Sequence, residues 1–180
     1  MCGRFVITGD PFGIGFKDNF NITPGTKIPI KTLDSDGELK TWSYSPLWKT
    51  DMNLINCRYE TMNLKPSFKK AKRCIIPFSG WYEWTNVEGK KVPYYHYTDI
   101  SYFAGLSNES GCLIVTQKSI GKNSVIHERQ PGLVSNNNLS DWLMHGFLDD
   151  TISDFGINFY KVSNVVNNPI NNNKTLIEEQ

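Results

Sequence analysis

At 180 residues, 39% of them hydrophobic and 13% aromatic, the chain is long enough to bury the core of one compact domain, residues 1–180. No apolar run approaches the roughly 20 residues needed to cross a bilayer, and no charged stretch followed by an apolar one marks a secretory signal, so the expected compartment is the cytosol and no membrane partner is expected. A net charge of +1 neither advertises nor excludes a nucleic-acid partner, because binding phosphate needs a local basic surface rather than a basic total.

Short β-type segments recur along the chain: Ile28–Leu33, Leu39–Tyr44, Arg73–Phe78, Trp81–Thr85, Val92–Thr98, Tyr102–Leu106, Cys112–Thr116 and Phe159–Val165. Asn86-Val87-Glu88-Gly89-Lys90 reads as a hairpin loop between two of them. One helix is predicted from Pro66 through Phe68-Lys69-Lys70-Ala71-Lys72, and another over Asp141–Phe147 after an N-cap at Ser140. The tail, residues 171–180, begins Asn171-Asn172-Asn173-Lys174 and is expected to fray. Many short strands with few helices predict an α+β fold, mostly antiparallel β-sheet folded as a distorted barrel or sandwich with a few short helices.

The chain opens Met1-Cys2-Gly3-Arg4-Phe5. Removal of Met1 would leave Cys2 with a free α-amine and a thiol on adjacent carbons. The amine can condense with an aldehyde, and the thiol can then close a thiazolidine ring. An α-amine titrates at roughly 7.7–8.0, far below lysine, so much of it is nucleophilic near neutrality. The other cysteines, Cys57, Cys74 and Cys112, form no CxxC pair, and there is no HxxxH, so neither a zinc site nor a disulfide framework is expected. Cys74 and Cys112 lie in apolar runs and read as core residues.

Four further patterns carry chemistry or its bland alternative. In Asn56-Cys57-Arg58-Tyr59-Glu60-Thr61, an amide and a guanidinium two residues apart could hold a sugar hydroxyl and a phosphate; otherwise Asn56 caps a turn and Arg58 pairs with Glu60. In Gly80-Trp81-Tyr82-Glu83-Trp84, Glu83 shares a strand face with Trp81, and poor solvation beside an indole would raise its pKa into the range of a general acid; the alternative is a half-exposed hairpin glutamate. In Ile126-His127-Glu128-Arg129-Gln130-Pro131, His127 suits proton exchange and Arg129 could grip a phosphate, unless the histidine merely bonds a carbonyl. His96, among tyrosines, and His145, in a predicted helix, read as structural. Lys65, Lys69, Lys70, Lys72 and Arg73, with Trp42, Tyr44 and Trp48 upstream, combine cations and stacking platforms as single-stranded nucleic acid requires, or else form a solvated face and ordinary core tryptophans.

Taken in order, Met1-Cys2-Gly3-Arg4-Phe5, Asn21-Ile22-Thr23-Pro24, Pro46-Leu47-Trp48, Asn56–Thr61, Arg73–Pro77, Gly80–Trp84, Phe103-Ala104-Gly105-Leu106, Ile126–Arg129 and Val162–Asn167 resemble the SRAP family, the SOS-response-associated peptidases or abasic-site-processing proteins. The resemblance implies a monomeric protein without metal or cofactor that binds single-stranded DNA. It implies a covalent crosslink to abasic sites through Cys2 after loss of Met1, a step its own peptidase activity could perform, with strand-cleaving lyase activity on the side. It places Asn56, Glu83 and His127 with Cys2 at active-site positions. Arg4, Arg58, Thr116 and Arg129 fall where DNA phosphates are contacted, and Pro24 and Trp48 where the strand is packed or wedged. The sequence departs at Cys57, where the family often has a small residue, and at Gln130, where it has Met. Two rival readings stay open: an N-terminal-nucleophile amidohydrolase, whose glutaminase members also begin Met-Cys-Gly, and a non-catalytic single-strand-binding module.

Overall fold

The computed structural model describes residues 2–149 and 156–180. Its strands, in chain order, are β1 (Phe5–Ile7), β2 (Asn19–Ile22), β3 (Lys27–Ile30), β4 (Glu38–Thr41), β5 (Asn56–Arg58), β6 (Lys72–Pro77), β7 (Gly80–Val87), β8 (Lys90–Tyr97), β9 (Tyr102–Asn108), β10 (Gly111–Lys118), β11 (Arg129–Pro131), β12 (Leu133–Val134) and β13 (Asn158–Lys161). One sheet runs β13-β8-β7-β1-β2. A second runs β11-β10-β9-β12, with β5 added on β10 and β6 on β9, and β3 and β4 form a separate pair. The ladders between these strands are antiparallel except β5 on β10. No sheet closes into a barrel among the described residues, so the α+β expectation resolves to a distorted sandwich.

Aromatic residues from both sheets fill the space between them. The Phe5 ring meets Trp42 at 5.0 Å and Phe103 at 5.6 Å, and Phe103 stacks on Phe78 at 3.9 Å. Cys74 and Cys112 are buried in this core. The β7–β8 hairpin is tighter than predicted: Val87 pairs with Lys90, leaving a two-residue turn. Glu88 (φ +50°) and Gly89 (φ +79°) both take the left-handed conformation that matches strand twist in such turns.

Three local expectations give way to tertiary pairing. The helix predicted from Pro66 lasts one 3-10 turn, Pro66–Phe68, because β6 draws Lys72 and Arg73 into register with Ser107 and Leu106 of β9. A segment that short gains little from helix propensity. The second helix is one wide turn, Asp141–His145, stopped by Gly146 in the left-handed conformation (φ +75°). Ser140 sits in helical conformation there and makes no cap bond. Arg73 caps its end, donating to the Leu143 and Met144 carbonyls at 3.0 and 2.6 Å. The last predicted strand stops at Lys161 and passes into a 3-10 turn, Asn164–Asn167.

The tail does not fray. Asn173 accepts from the Thr175 N–H and starts a 3-10 turn, Lys174–Ile177. Leu176 is buried against Val6, Tyr82 and Val166, and the Gln180 N–H donates to the Lys161 carbonyl at 3.0 Å. Polar composition suggested a loose end, but one apolar side chain and these backbone bonds tie it down.

Candidate functional site

Strand β1 lies between β2 and β7. In its ladder with β7, Phe5 pairs with Trp81, and the Tyr82 N–H donates to the Arg4 carbonyl at 2.9 Å. An antiparallel register carried two residues further sets Gly3 level with Glu83. The start of the chain is thereby delivered to the carboxylate. From the other sheet, β5 presents Asn56, which pairs with Ile114 of β10. The Asn56 Nδ2 donates to the Cys2 carbonyl at 2.8 Å. Two sheets thus converge on the first residues of the chain.

Glu83 is only 2% exposed, and burial pushes its pKa up to about 7. It therefore exchanges its proton near neutrality. His127 is shifted the other way, downward, chiefly by burial, so its neutral ring predominates near neutrality. His127 Nδ1 lies 3.0 Å from the Arg129 backbone nitrogen and 3.1 Å from the Arg129 carbonyl, so the Arg129 backbone holds this edge of the ring in either tautomer. Cys2 is fully buried in the chain that carries Met1. Burial first, and the nearby Glu83 charge second, raise its thiol pKa. Glu83, His127, Arg4, Trp84, Lys91 and Asn167 line one open cavity of about 530 Å³.

The other predicted residues have varied placements. Arg4 is held by Asn21 Oδ1 at 2.8 Å and the Val166 carbonyl at 2.6 Å, with its guanidinium 5.8 Å from the Trp84 ring centre. Arg58 ends β5 with an exposed side chain. Thr116 is fully buried, its hydroxyl donating to the Cys57 carbonyl at 3.1 Å, so it presents nothing to a phosphate in this arrangement. Arg129, with its side chain 11% exposed, makes a bidentate pair with Glu60 at 2.7 and 3.0 Å and donates to the Thr116 carbonyl at 2.6 Å. The expected Glu60 partner, Arg58, is replaced by a residue 69 positions away. Pro24 is exposed in the turn preceding β3, where Gly25 (φ +91°) donates to the Trp42 carbonyl at 2.9 Å.

Of the three upstream aromatics, Trp42 and Tyr44 are buried and belong to the core, while Trp48 is 64% exposed. It shares an apolar groove with Leu47, Pro66, Lys69 and Lys70. The rest of the basic cluster is partly committed. Arg73 caps the 141–145 turn, and Lys72 pairs with Asp34 at 2.8 Å.

The sequence singled out no role for Trp84, Lys91 or Asn167 at the cavity, although the Trp84 Nε1–H donates to Asn167 Oδ1 at 2.8 Å. Their link runs over 83 residues, a separation that no local pattern encodes.

Comparison with known proteins adds a family frame. A family model described as SOS response associated peptidase (SRAP) matches residues 1–169. The abasic site processing protein YoqW of Bacillus subtilis (strain 168) is 30% identical, with 99% of each chain covered. The abasic site processing protein YedK of Escherichia coli (strain K12) is 28% identical over 79% of each. A solved structure of a Bacteroides thetaiotaomicron protein superimposes with a TM-score of 0.76 at 23% identity, covering 92% of this chain and 87% of that one, a likeness of fold.

Proposed function

The chain belongs to the SOS response associated peptidase (SRAP) family, and on that premise we propose that it binds single-stranded DNA and joins itself covalently to abasic sites through Cys2. Relatives named for abasic-site processing support the substrate class. The reading is carried by one observation. A glutamate of pKa about 7 and an imidazole shifted toward its neutral form share a cavity beside the start of the chain, where a carboxamide holds the Cys2 carbonyl.

Hydrolysis of the Met1–Cys2 bond, by the protein itself in this proposal, frees the amine. That amine attacks C1′ of the open-chain aldehyde. Protonated Glu83 gives its proton to the C1′ oxygen, and water leaves as the C=N bond forms. The Cys2 sulfur then adds to the imine carbon, its proton passing to the Glu83 carboxylate or His127, and the ring nitrogen ends protonated. The balance is aminothiol plus aldehyde to thiazolidine plus one water. Asn56 fixes the attacking residue by its carbonyl. Arg4 and Arg58 hold the flanking phosphates, with Arg129 joining them on exchanging Glu60 for phosphate. Trp48 and Pro24 pack against the strand, Trp48 offering a face on which a base can stack. The protein acts as a monomer and uses no metal or cofactor.

The test is to incubate the protein with a single strand bearing one abasic site and resolve the products on a denaturing gel, with intact mass. The expected adduct has the mass of the chain lacking Met1 plus the oligonucleotide minus one water. Cys2→Ser keeps an amine but cannot close the thiazolidine, so it gives strand cleavage without a stable adduct. An undiminished C2S adduct refutes ring closure, and equal binding of intact and abasic strands without any adduct points to a plain binding module.

A further inference from the structure

Behind His127 lies a buried polar cluster that the crosslinking chemistry does not use. The turn Gly121–Val125 leads into His127, and within it Asn123 is 2% exposed. Its carbonyl accepts from the Ile126 N–H at 3.1 Å and from the His127 N–H at 3.3 Å. Its side-chain Nδ2 donates at 3.0 Å to Oε1 of Gln130, a fully buried residue of β11. The same Oε1 accepts from the Ile120 N–H at 3.3 Å.

This orientation is fixed. A backbone N–H can only donate, so Ile120 sets the Gln130 oxygen, and that oxygen sets the Asn123 nitrogen; turning either amide over breaks the chain. Asn123 Oδ1, Gln130 Nε2 and His96 Nε2 are then buried without a well-formed hydrogen bond among the described residues, the Asn123 amide and the His96 ring being close enough to interact. His96 lies opposite Trp81, stacked on it at 5.2 Å, with its Nδ1 3.2 Å from the Tyr94 carbonyl. Each unsatisfied buried polar atom costs about 1–3 kcal/mol. An apolar trio would avoid that cost. What the polar trio supplies, and an apolar one could not, is the tether between β11 and the turn carrying His127.

We propose that Asn123 is a positioning residue for His127: it staples the 121–125 turn to Gln130, and so holds the ring with Nδ1 against the Arg129 backbone in a single tautomer. The consequence for rate rests on the crosslinking reading, but the consequence for the ring does not. Breaking the staple frees the segment between Ile120 and Arg129, and the imidazole then samples both tautomers. A displacement of about 1 Å costs on the order of 10²-fold in rate.

The experiment compares wild type, Asn123→Leu and Leu176→Ala by histidine ¹⁵N NMR and by adduct formation on an abasic single strand. L176A lowers stability through the tail, in a cluster with Val6, Tyr82 and Val166 that includes no residue of the 120–130 segment, and so controls for a general loss of stability. The staple predicts one and the same tautomer at His127 in wild type and L176A, mixed tautomers in N123L, and adduct formation slowed roughly 10- to 100-fold in N123L only. Wild-type tautomer and rate in N123L overturn the proposal, as does equal slowing in L176A. If N123L does not fold, Gln130→Leu cuts the same tether, and an unchanged His127 tautomer there overturns it equally. Should wild type give no adduct at all, the crosslinking reading falls while the tautomer comparison still decides the staple.

Discussion

Glu83→Gln should make the protein more stable and less active at the same time. Glu83 is buried in β7, and its pKa rises from an ordinary 4.5 to about 7. At about 1.4 kcal/mol for each tenfold change, the folded protein disfavours the carboxylate by about 3 kcal/mol. The sign follows from the raised value: the cost is absent below the unfolded pKa, grows as pH rises from about 4.5, and is complete above about 7. Glutamine never ionises and escapes it, losing about 1 kcal/mol for an amide placed where a carboxyl fitted. The net gain is about 2 kcal/mol at pH 8.5, or about 6 °C in Tm for a chain of this size, and it turns into a loss of about 1 kcal/mol near pH 4, where only the cost of the amide remains. Thermal unfolding at both pH values measures it. Meanwhile E83Q cannot pass a proton, and adduct formation should slow by about 10²-fold or more. In wild type the rate should fall on both sides of pH 7–8, as the amine is protonated below (roughly 7.7–8.0) and Glu83 is deprotonated above. E83Q should lose the alkaline limb. A Tm difference independent of pH, or a loss of stability at pH 8.5, would refute the assignment of a buried, neutral Glu83.

His96 should act in the opposite direction. Burial holds its pKa down at about 4, so the folded state excludes the charged ring, and its stability is full above the unfolded value of 6.5 and lost as pH falls toward 4. His96→Phe should flatten that acid loss, read from urea midpoints between pH 7 and 4; an unchanged slope would contradict it. Asn56→Ala removes the bond to the Cys2 carbonyl, and should cost only about 1 kcal/mol of stability while slowing adduct formation about tenfold or more in a single-turnover time course. Leu176→Ala should destabilise the fold by about 2–5 kcal/mol in denaturant titration, whereas a frayed tail would make it silent.

The residues that stand out in the sequence are those whose chemistry is unusual for their setting. Cys2 follows Met1, and Glu83 is an acid inside an aromatic strand. The burial that gives Glu83 its proton was implied by alternation in Gly80-Trp81-Tyr82-Glu83-Trp84, because a period of two puts it on the Trp81 side, facing the interior. What was hidden depends on which distant element arrives. Arg129 looked like a phosphate ligand, and its sequence neighbourhood held no sign of Glu60 as its partner. Thr116 could not be known to turn its hydroxyl onto Cys57, since that follows from the parallel addition of β5 to β10. The Pro66 helix and the loose tail failed for a shared reason: local composition was outweighed by pairing with β9 in one case and by burial of Leu176 in the other. His96 was read as structural, and its place opposite Trp81 joins it to the cluster behind His127.

The order of the first sheet carries a consequence for how the protein is born. Strand β1, which follows directly on the opening residues, lies between β2 and β7, and β7 begins at Gly80, 73 positions after β1 ends at Ile7. A ribosome must therefore release nearly half the polypeptide before Glu83 can meet residue 2, and more again before His127 arrives. The site that brings residue 2, Glu83 and His127 together is thus assembled late, and if the proposed crosslinking holds, reactivity comes only to chains whose two sheets have met.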